Sequence, residues 1–379
     1  MSQATPDVII VGAGIVGAAC AHALAGEGLS VTIIESRGIG AGTTAAGMGH
    51  LVVMDDSDAQ FALTRLSVDL WRQLAGDLAA DVEMDACGTL WVAADDQEMT
   101  EVRRKHRFYA DRGVGTEILD ARQVAEAEPH LRPGLAGGLR VPGDSVVYPP
   151  TAARWLIERA RDAKVVGGEV ADLTGGRVVL KDGTQLSAAF TVNAAGSLAP
   201  RLTPSLDVRP RKGHLVITDR HPGFVRHQLV ELGYLKSAHG TTADSVAFNV
   251  QPRKTGQILI GSSRQYGNDD PAIDHAILGR MIDRAIEYMP DIARLSAIRA
   301  WTGFRPSTPD KLPLIGAMPA DPRLFVATGH EGLGITTSLG TARLLTEQLL
   351  GRPTSIAAVP YLPARYAKTA QSAEVAVHA

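Results

Sequence analysis

Apolar positions along this chain alternate between short unbroken runs and helical spacings, and their order sets the expected fold. The run from Asp7 to Val11 ends in glycines and predicts a buried parallel strand. Gly12 to Gly17 follow, then a helix-forming stretch from Ala18 to Glu27, with Gly28 where a helix C-cap glycine belongs. Val31 to Glu35 is a second β-branched run, so the opening reads as a βαβ unit.

Downstream, Phe61, Leu66, Leu70, Leu74 and Leu78 fall near helical spacing within Ser57 to Leu78. Cys87 to Ala93 predicts a strand, and Asp96 to Arg112 a charged helix. Its basic run of Arg103, Arg104, Lys105 and Arg107 is expected to be a solvated face. Thr151 is placed as the N-cap of a helix ending near Asp162. Lys164 to Asn193 reads as strands separated by glycine turns, and Val208 to Tyr266 as an antiparallel sheet. Asp274 to Met289 is an amphipathic helix, Leu324 to Ala327 a last strand, and Ile335 to Leu350 a last helix behind a glycine loop. The tail after Tyr361 is expected to be loose. The fold class is therefore α/β joined to α+β. A Rossmann-like unit from 1–47, 148–207 and 305–379 interleaves with a mostly antiparallel substrate-side unit from 48–147 and 208–304.

The 379 residues fit two or three units at about 150 residues each. A net charge of −3 gives no footprint for nucleic acid. Two cysteines, Cys20 and Cys87, cannot build a disulfide framework, a zinc site or an iron–sulfur cluster, so no metal is expected. No stretch reaches the roughly 20 apolar residues of a membrane span, and Met1 to Asp7 lacks the basic start of a signal peptide. The expectation is a cytoplasmic protein without an integral membrane segment, with peripheral contact at the inner membrane left open.

The strongest chemical signal is Gly12-Ala-Gly14-Ile15-Val16-Gly17 between a strand and a helix. Gly12 permits the turn, Gly14 admits a pyrophosphate, Gly17 lets the helix pack on the strand, and the helix N-terminus favours phosphate charge. Glu35, closing the next strand, stands where an acid binds ribose hydroxyls. This motif alone does not separate NAD from FAD. The stretch from Ser36 and Arg37 to Gly49, with Thr43, Thr44, Ala46, Gly47 and Met48, is small and polar enough to wrap a pyrophosphate or a flavin edge, or is a flexible loop. Gly303 and Arg305 open a Pro-rich apolar stretch, where a guanidinium could clamp a carboxylate or form a structural ion pair. Gly329 to Gly334, with Glu331, Gly332 and Leu333 and continuing into Ile335, opens a helix. It offers N–H donors to the N1–C2 side of a reduced flavin.

Together, VGAGIVG with Glu35, the GTTAAGMG loop, the VNAAG strand end, the GFRPSTPDKLPLIG segment and the TGHEGLG loop resemble the D-amino-acid oxidase superfamily over essentially the whole chain. Within it the chain is most similar to bacterial D-hydroxyproline dehydrogenases, through GTTAAGMGHLVVMDDSDAQFALTR. The resemblance implies non-covalent FAD. Gly12, Gly14, Gly17 and Glu35 would lie on its ADP half, Arg37, Thr43 and Thr44 near the pyrophosphate, Val170 at the adenine, and Ala195 and Gly196 beside the cofactor. Gly332, Leu333 and Gly334 would cradle the isoalloxazine. Arg305 matches the carboxylate-binding arginine. The aromatic hydroxyl that relatives often add is replaced by Phe248, leaving Tyr234 and His50 as candidates for a catalytic or substrate-binding role. The oxygen-activating lysine and the FAD-tethering cysteine of sarcosine oxidases have no match.

The implied reaction is oxidation of a small carboxylate-bearing amino or imino acid, of the D-proline or D-hydroxyproline type. Hydride passes from Cα to flavin N5 and electrons pass on to a quinone, an artificial acceptor or a partner electron-transfer protein. The rivals are a glycine, sarcosine or D-amino-acid oxidase using O2, a flavin subunit of a larger complex, a non-catalytic flavin protein and an NAD-only dehydrogenase.

Overall fold

A computed structural model describes residues 5–233 and 244–366, so Tyr234 and the C-terminal tail beyond 366 lie outside the described residues. The β-branched run Val8–Val11 is the centre of a six-stranded sheet. Its order is Leu314–Met318, Asp321–Thr328, Phe190–Asn193, Val8–Val11, Val31–Glu35 and Lys164–Gly167. Its strands are parallel except at the Leu314–Met318 edge. Both faces are buried, which explains runs apolar on both parities. One face packs on the helices Ile15–Gly26, Pro149–Arg159 and Gly334–Leu349. The other packs on a small antiparallel sheet, Val170–Thr174, Arg177–Leu180 and Gln185–Ser187.

A second sheet of eight strands runs in the order Ala297–Ser307, Arg209–Arg220, Gln257–Tyr266, Ser245–Pro252, Gln228–Glu231, Thr89–Ala93, Gly137–Val141, Glu117–Asp120. It is antiparallel apart from the parallel pairing of Gln228–Glu231 with Thr89–Ala93. The amphipathic helix His275–Tyr288, capped by Asp274, buries Met281, Ala285 and Tyr288 against one face. The mixed parallel and antiparallel architecture is the fold class read from the sequence. Among the described residues no helix is long and apolar enough to cross a membrane.

Two local expectations are corrected. The Pro149–Arg159 helix is capped by Tyr148, and the Thr151 hydroxyl instead donates to the carbonyls of Asp81 and Tyr148. The basic run of the Asp96–Ala110 helix is not uniformly solvated. Lys105 is 0% exposed, paired with Asp55 at 2% exposure, and lies over the Trp91 ring. A buried ammonium needs such a partner, and helical spacing turns Lys105 inward beside Val102 and Tyr109.

Candidate functional site

The two sheets meet along a cavity of about 490 Å³. Its first wall is the turn after Val8–Val11. Gly12 has φ +107°, and a Cβ there would stand 2.6 Å from the Ala194 carbonyl oxygen. A Cβ on Gly17 would stand 2.0 Å from the Gly12 carbonyl oxygen, so helix and turn meet only as glycines. Thr44 Oγ1 accepts from the Ile15 N–H at 3.0 Å and Thr43 Oγ1 donates to the Phe304 carbonyl at 2.7 Å. Both hydroxyls thus tie the loop to its neighbours while their residues line the cavity.

Glu35 is oriented by backbone. Oε2 accepts from Ala13 N at 2.8 Å and Oε1 from Arg37 N at 2.7 Å. Ionised carboxylate oxygens hold further lone pairs, available here to hydroxyls in the cavity. The strand pairing of Glu35 with Gly167 brings Glu169 and Val170 to the same wall. A small-residue turn opening a helix, with an acid at the next strand end, fits the ADP half of a dinucleotide.

The opposite end is charged. Arg305 lines the cavity and donates from Nη1 to the Ser263 carbonyl at 3.0 Å. Gly213 makes room for it: a Cβ there would stand 2.4 Å from Arg305 Nη1. Glu331, in the left-handed region at φ +53°, forms an ion pair with buried Arg211 and accepts from Gly332 N at 2.9 Å. A non-glycine residue held there costs energy that its neighbours must offset. Burial pushes the Glu331 carboxyl up, but Arg211, Arg305 and Arg264 together hold it below its ordinary range. The Gly332 N–H, expected to face the cofactor, is therefore occupied by its neighbour's carboxylate.

The cavity brings together most of the residues singled out from the sequence. Gly12, Gly14, Ile15, Val16, Glu35 and Ser36 line it, as do Arg37, Thr43, Thr44, Ala46, Gly47 and Met48. So do His50, Val170, Ala195, Gly196, Gly303 and Arg305, and Glu331, Gly332, Gly334 and Ile335. Three stand back from it. Gly17 packs under Gly12, Gly329 turns at φ +79° against Thr308, and Leu333 caps the Gly334–Leu349 helix. Tyr234 lies outside the described residues.

Phe248 is not the residue that faces the site. It is buried and stacked on Tyr288, with ring centroids 4.6 Å apart. Strand alternation presents Asn249 to the cavity instead, and Ser262 faces it from the next strand. Neither was singled out from the sequence. Neither cysteine lines the cavity, in keeping with a cofactor held without a thioether.

Comparison with known proteins agrees with this geometry. Residues 7–348 match the DAO family, described as FAD dependent oxidoreductase. The glycine oxidase of Geobacillus kaustophilus is 28% identical over 378 residues, covering 95% of this chain and 97% of its own. The crystal structure of glycine oxidase from that organism superposes with a TM-score of 0.85 at 27% identity, covering 94% of this chain and 98% of that one. A D-amino acid dehydrogenase of a Methylobacterium species is 29% identical over 327 residues, covering 81% of this chain and 74% of its own.

Proposed function

The chain belongs to the DAO family of FAD dependent oxidoreductases, and on that premise we propose that it oxidises the C–N bond of a small amino acid in the manner of a glycine or sarcosine oxidase. The observation that carries this reading is Arg305, a guanidinium in the same cavity as the Gly12–Gly17 turn and Glu35. Full-length similarity to glycine oxidase supports it.

Bound FAD supplies the two-electron acceptor for the Cα hydride. The chain's part is to hold and orient. Gly12, Gly14 and Glu35 would hold the ADP half, and Gly47, Met48 and Gly334 the flavin end. Arg305 binds the substrate carboxylate as a planar fork, which fixes the direction of the Cα–H bond. The buried walls from Leu215 and Met48 exclude water from the reacting carbon. The imine leaves to be hydrolysed.

A second reading is a dehydrogenase of a cyclic imino acid such as D-proline or D-hydroxyproline, delivering electrons to a quinone or a partner protein. One observation favours it: Gln257–Tyr266 presents Ser262 to the cavity, not the lysine that sarcosine-oxidase relatives use to activate oxygen. Turnover with glycine, sarcosine and D-proline in air-saturated buffer separates the two. Hydrogen peroxide formed in step with substrate consumed supports the oxidase. Turnover that requires an added quinone or dye supports the dehydrogenase.

A further inference from the structure

Among the described residues, three side chains both line the cavity and leave a buried polar atom without a hydrogen-bond partner: His50 Nε2, Asn249 Oδ1 and Ser262 Oγ. Asn249 and Ser262 sit on neighbouring strands of the large sheet. His50 comes from the short ribbon His50–Leu51, which pairs with Ser145–Val146. Buried polar atoms are rarely left unpaired in a native protein, and one on a residue that lines a ligand cavity can take its partner from a ligand or an ordered water.

The chemical state of His50 is set by its far side. Gln228, fully buried, donates from Nε2 to the Ser145 carbonyl at 3.1 Å. That carbonyl can only accept, so the Gln228 amide must turn its nitrogen there and its oxygen toward His50. Gln228 Oε1 lies against His50 Nδ1. An amide oxygen can only accept as well, so Nδ1 carries the proton. In the neutral ring, Nε2 is then a bare lone pair. The ribbon holds the ring in place, because the Thr336 hydroxyl donates to the His50 carbonyl at 2.7 Å.

The surrounding charges keep the ring neutral. Burial lowers the His50 pKa below its ordinary value, and the Arg305 cation lowers it further against the opposing pull of Gln228. On the elements packed around it, Asp144 turns Oδ1 toward Val53 N, and its carboxyl is raised to about 7 by burial. Asp85 bridges Val146 through backbone alone. Cys87, against the Gln228 backbone, has its thiol raised to about 12 by burial and remains uncharged.

The cavity therefore offers a permanent cation, Arg305, and a neutral acceptor, His50 Nε2. An α-amino acid offers the complement, a carboxylate and an N–H donor one carbon apart. We infer that His50 is the residue that receives the substrate's amino group, its Nε2 accepting an N–H while Arg305 holds the carboxylate. This rests on the reading that the substrate is an amino or imino acid. Gln228 acts as a positioning residue, because among the described residues it fixes which nitrogen is bare. An N–H held to His50 also fixes the orientation of the nitrogen lone pair, which must align with the departing hydride as C=N forms.

The test uses two ligands of the FAD-loaded protein that differ by the amino group, 2-aminoisobutyrate and isobutyrate. Neither can form the amino-acid imine, since the first lacks a Cα–H and the second lacks nitrogen. Binding is read from perturbation of the flavin spectrum. His50→Leu is expected to weaken 2-aminoisobutyrate by roughly 10- to 100-fold, the range for a hydrogen bond involving a charged group, and to leave isobutyrate unchanged. His50→Gln, which keeps an acceptor, is expected to recover part of the loss. In the wild type, lowering the pH through the His50 range, which lies below the ordinary histidine value of about 6.5, should weaken 2-aminoisobutyrate and tighten isobutyrate, because protonated His50 repels an ammonium and attracts a carboxylate. Gln228→Leu should blunt that opposition. Equal loss of both ligands in His50→Leu, or no loss of 2-aminoisobutyrate, overturns the assignment. A wild type that binds 2-aminoisobutyrate but is reduced by no amino acid keeps the His50 assignment and removes the reaction. A wild type that binds neither ligand removes both.

Discussion

Arg211 and Arg305 stand opposite one another in register on adjacent antiparallel strands, two like charges brought together with the Glu331 carboxylate between them. Like charges directly opposed across a sheet are destabilising, and Arg211 is buried while Arg305 is half-buried at the cavity. Glu331 offsets that repulsion, at the cost of a left-handed backbone at φ +53°. Arg305 brings a positive charge to the cavity, where a carboxylate ligand complements it.

Glu331→Gln should therefore act on stability first. Breaking a buried ion pair from one side costs about 3–5 kcal/mol, and here it also releases the Arg211–Arg305 repulsion. Urea unfolding of the variant is expected to show a loss in that range. Added carboxylate ligand should restore part of it, since the ligand supplies the missing negative charge. An unchanged midpoint would contradict this role.

Gly213→Ala should mimic Arg305→Ala without touching the arginine. A Cβ at position 213 would stand 2.4 Å from Arg305 Nη1 and must displace it. Arg305→Ala is expected to raise KM for carboxylate substrates by roughly 100-fold, consistent with about 3 kcal/mol for a charge-assisted pair, and Gly213→Ala to raise it in the same direction by less, while FAD content stays that of the wild type. A Gly213→Ala enzyme with unchanged KM would show that the guanidinium does not need this position.

His330 gives the site a pH signature. It lines the cavity with Nε2 hydrogen-bonded to Thr341 Oγ1 at 2.9 Å, and burial lowers its pKa to about 3. Between about 6.5, the unfolded value, and about 3, the unfolded chain binds a proton that the native chain refuses. Stability therefore falls as pH falls through that window, by up to about 1.4 kcal/mol per pH unit from this residue. His330→Gln, which keeps a partner for Thr341, should show a slope shallower by close to one proton between pH about 6 and about 4.5. Parallel slopes in the two proteins would contradict it.

Lys105 tests the buried pair away from the cavity. Lys105→Met leaves Asp55 and its exposed partner Arg104 behind and is expected to cost about 3–5 kcal/mol. The double variant Lys105→Met with Asp55→Leu should recover much of this, because no buried charge is then unpaired. A single variant as stable as the wild type would mean that Arg104 alone suffices for Asp55.

The sequence made the cofactor half of the site legible because its constraints are local. Gly12 needs a positive φ for its turn, Gly17 must pass the Gly12 carbonyl, Glu35 closes the next strand, and Gly334 starts a helix. The substrate half depends on strand parity and on pairings far apart in the chain. Nothing near Phe248 tells that it faces Tyr288 while Asn249 faces the cavity, because alternation fixes only that the two point opposite ways and the pairing of distant strands decides which face is the cavity. Gly213 gains its meaning only from Arg305, 92 positions later by the numbering of the strand pair. Lys105 is buried where the sequence predicts a solvated face, because a basic run hides the one position that helical spacing turns inward. His50 was visible as a candidate, but its bare Nε2 follows from Gln228 and Ser145, which no motif connects to it.

The most direct test of the account is an anaerobic visible spectrum of the purified protein, titrated with glycine, sarcosine, D-proline and cis-4-hydroxy-D-proline. An oxidised flavin band is expected that at least one of these bleaches, with Arg305→Ala requiring far more of it for the same bleaching. A flavin band that none of them bleaches would contradict the proposed substrate class.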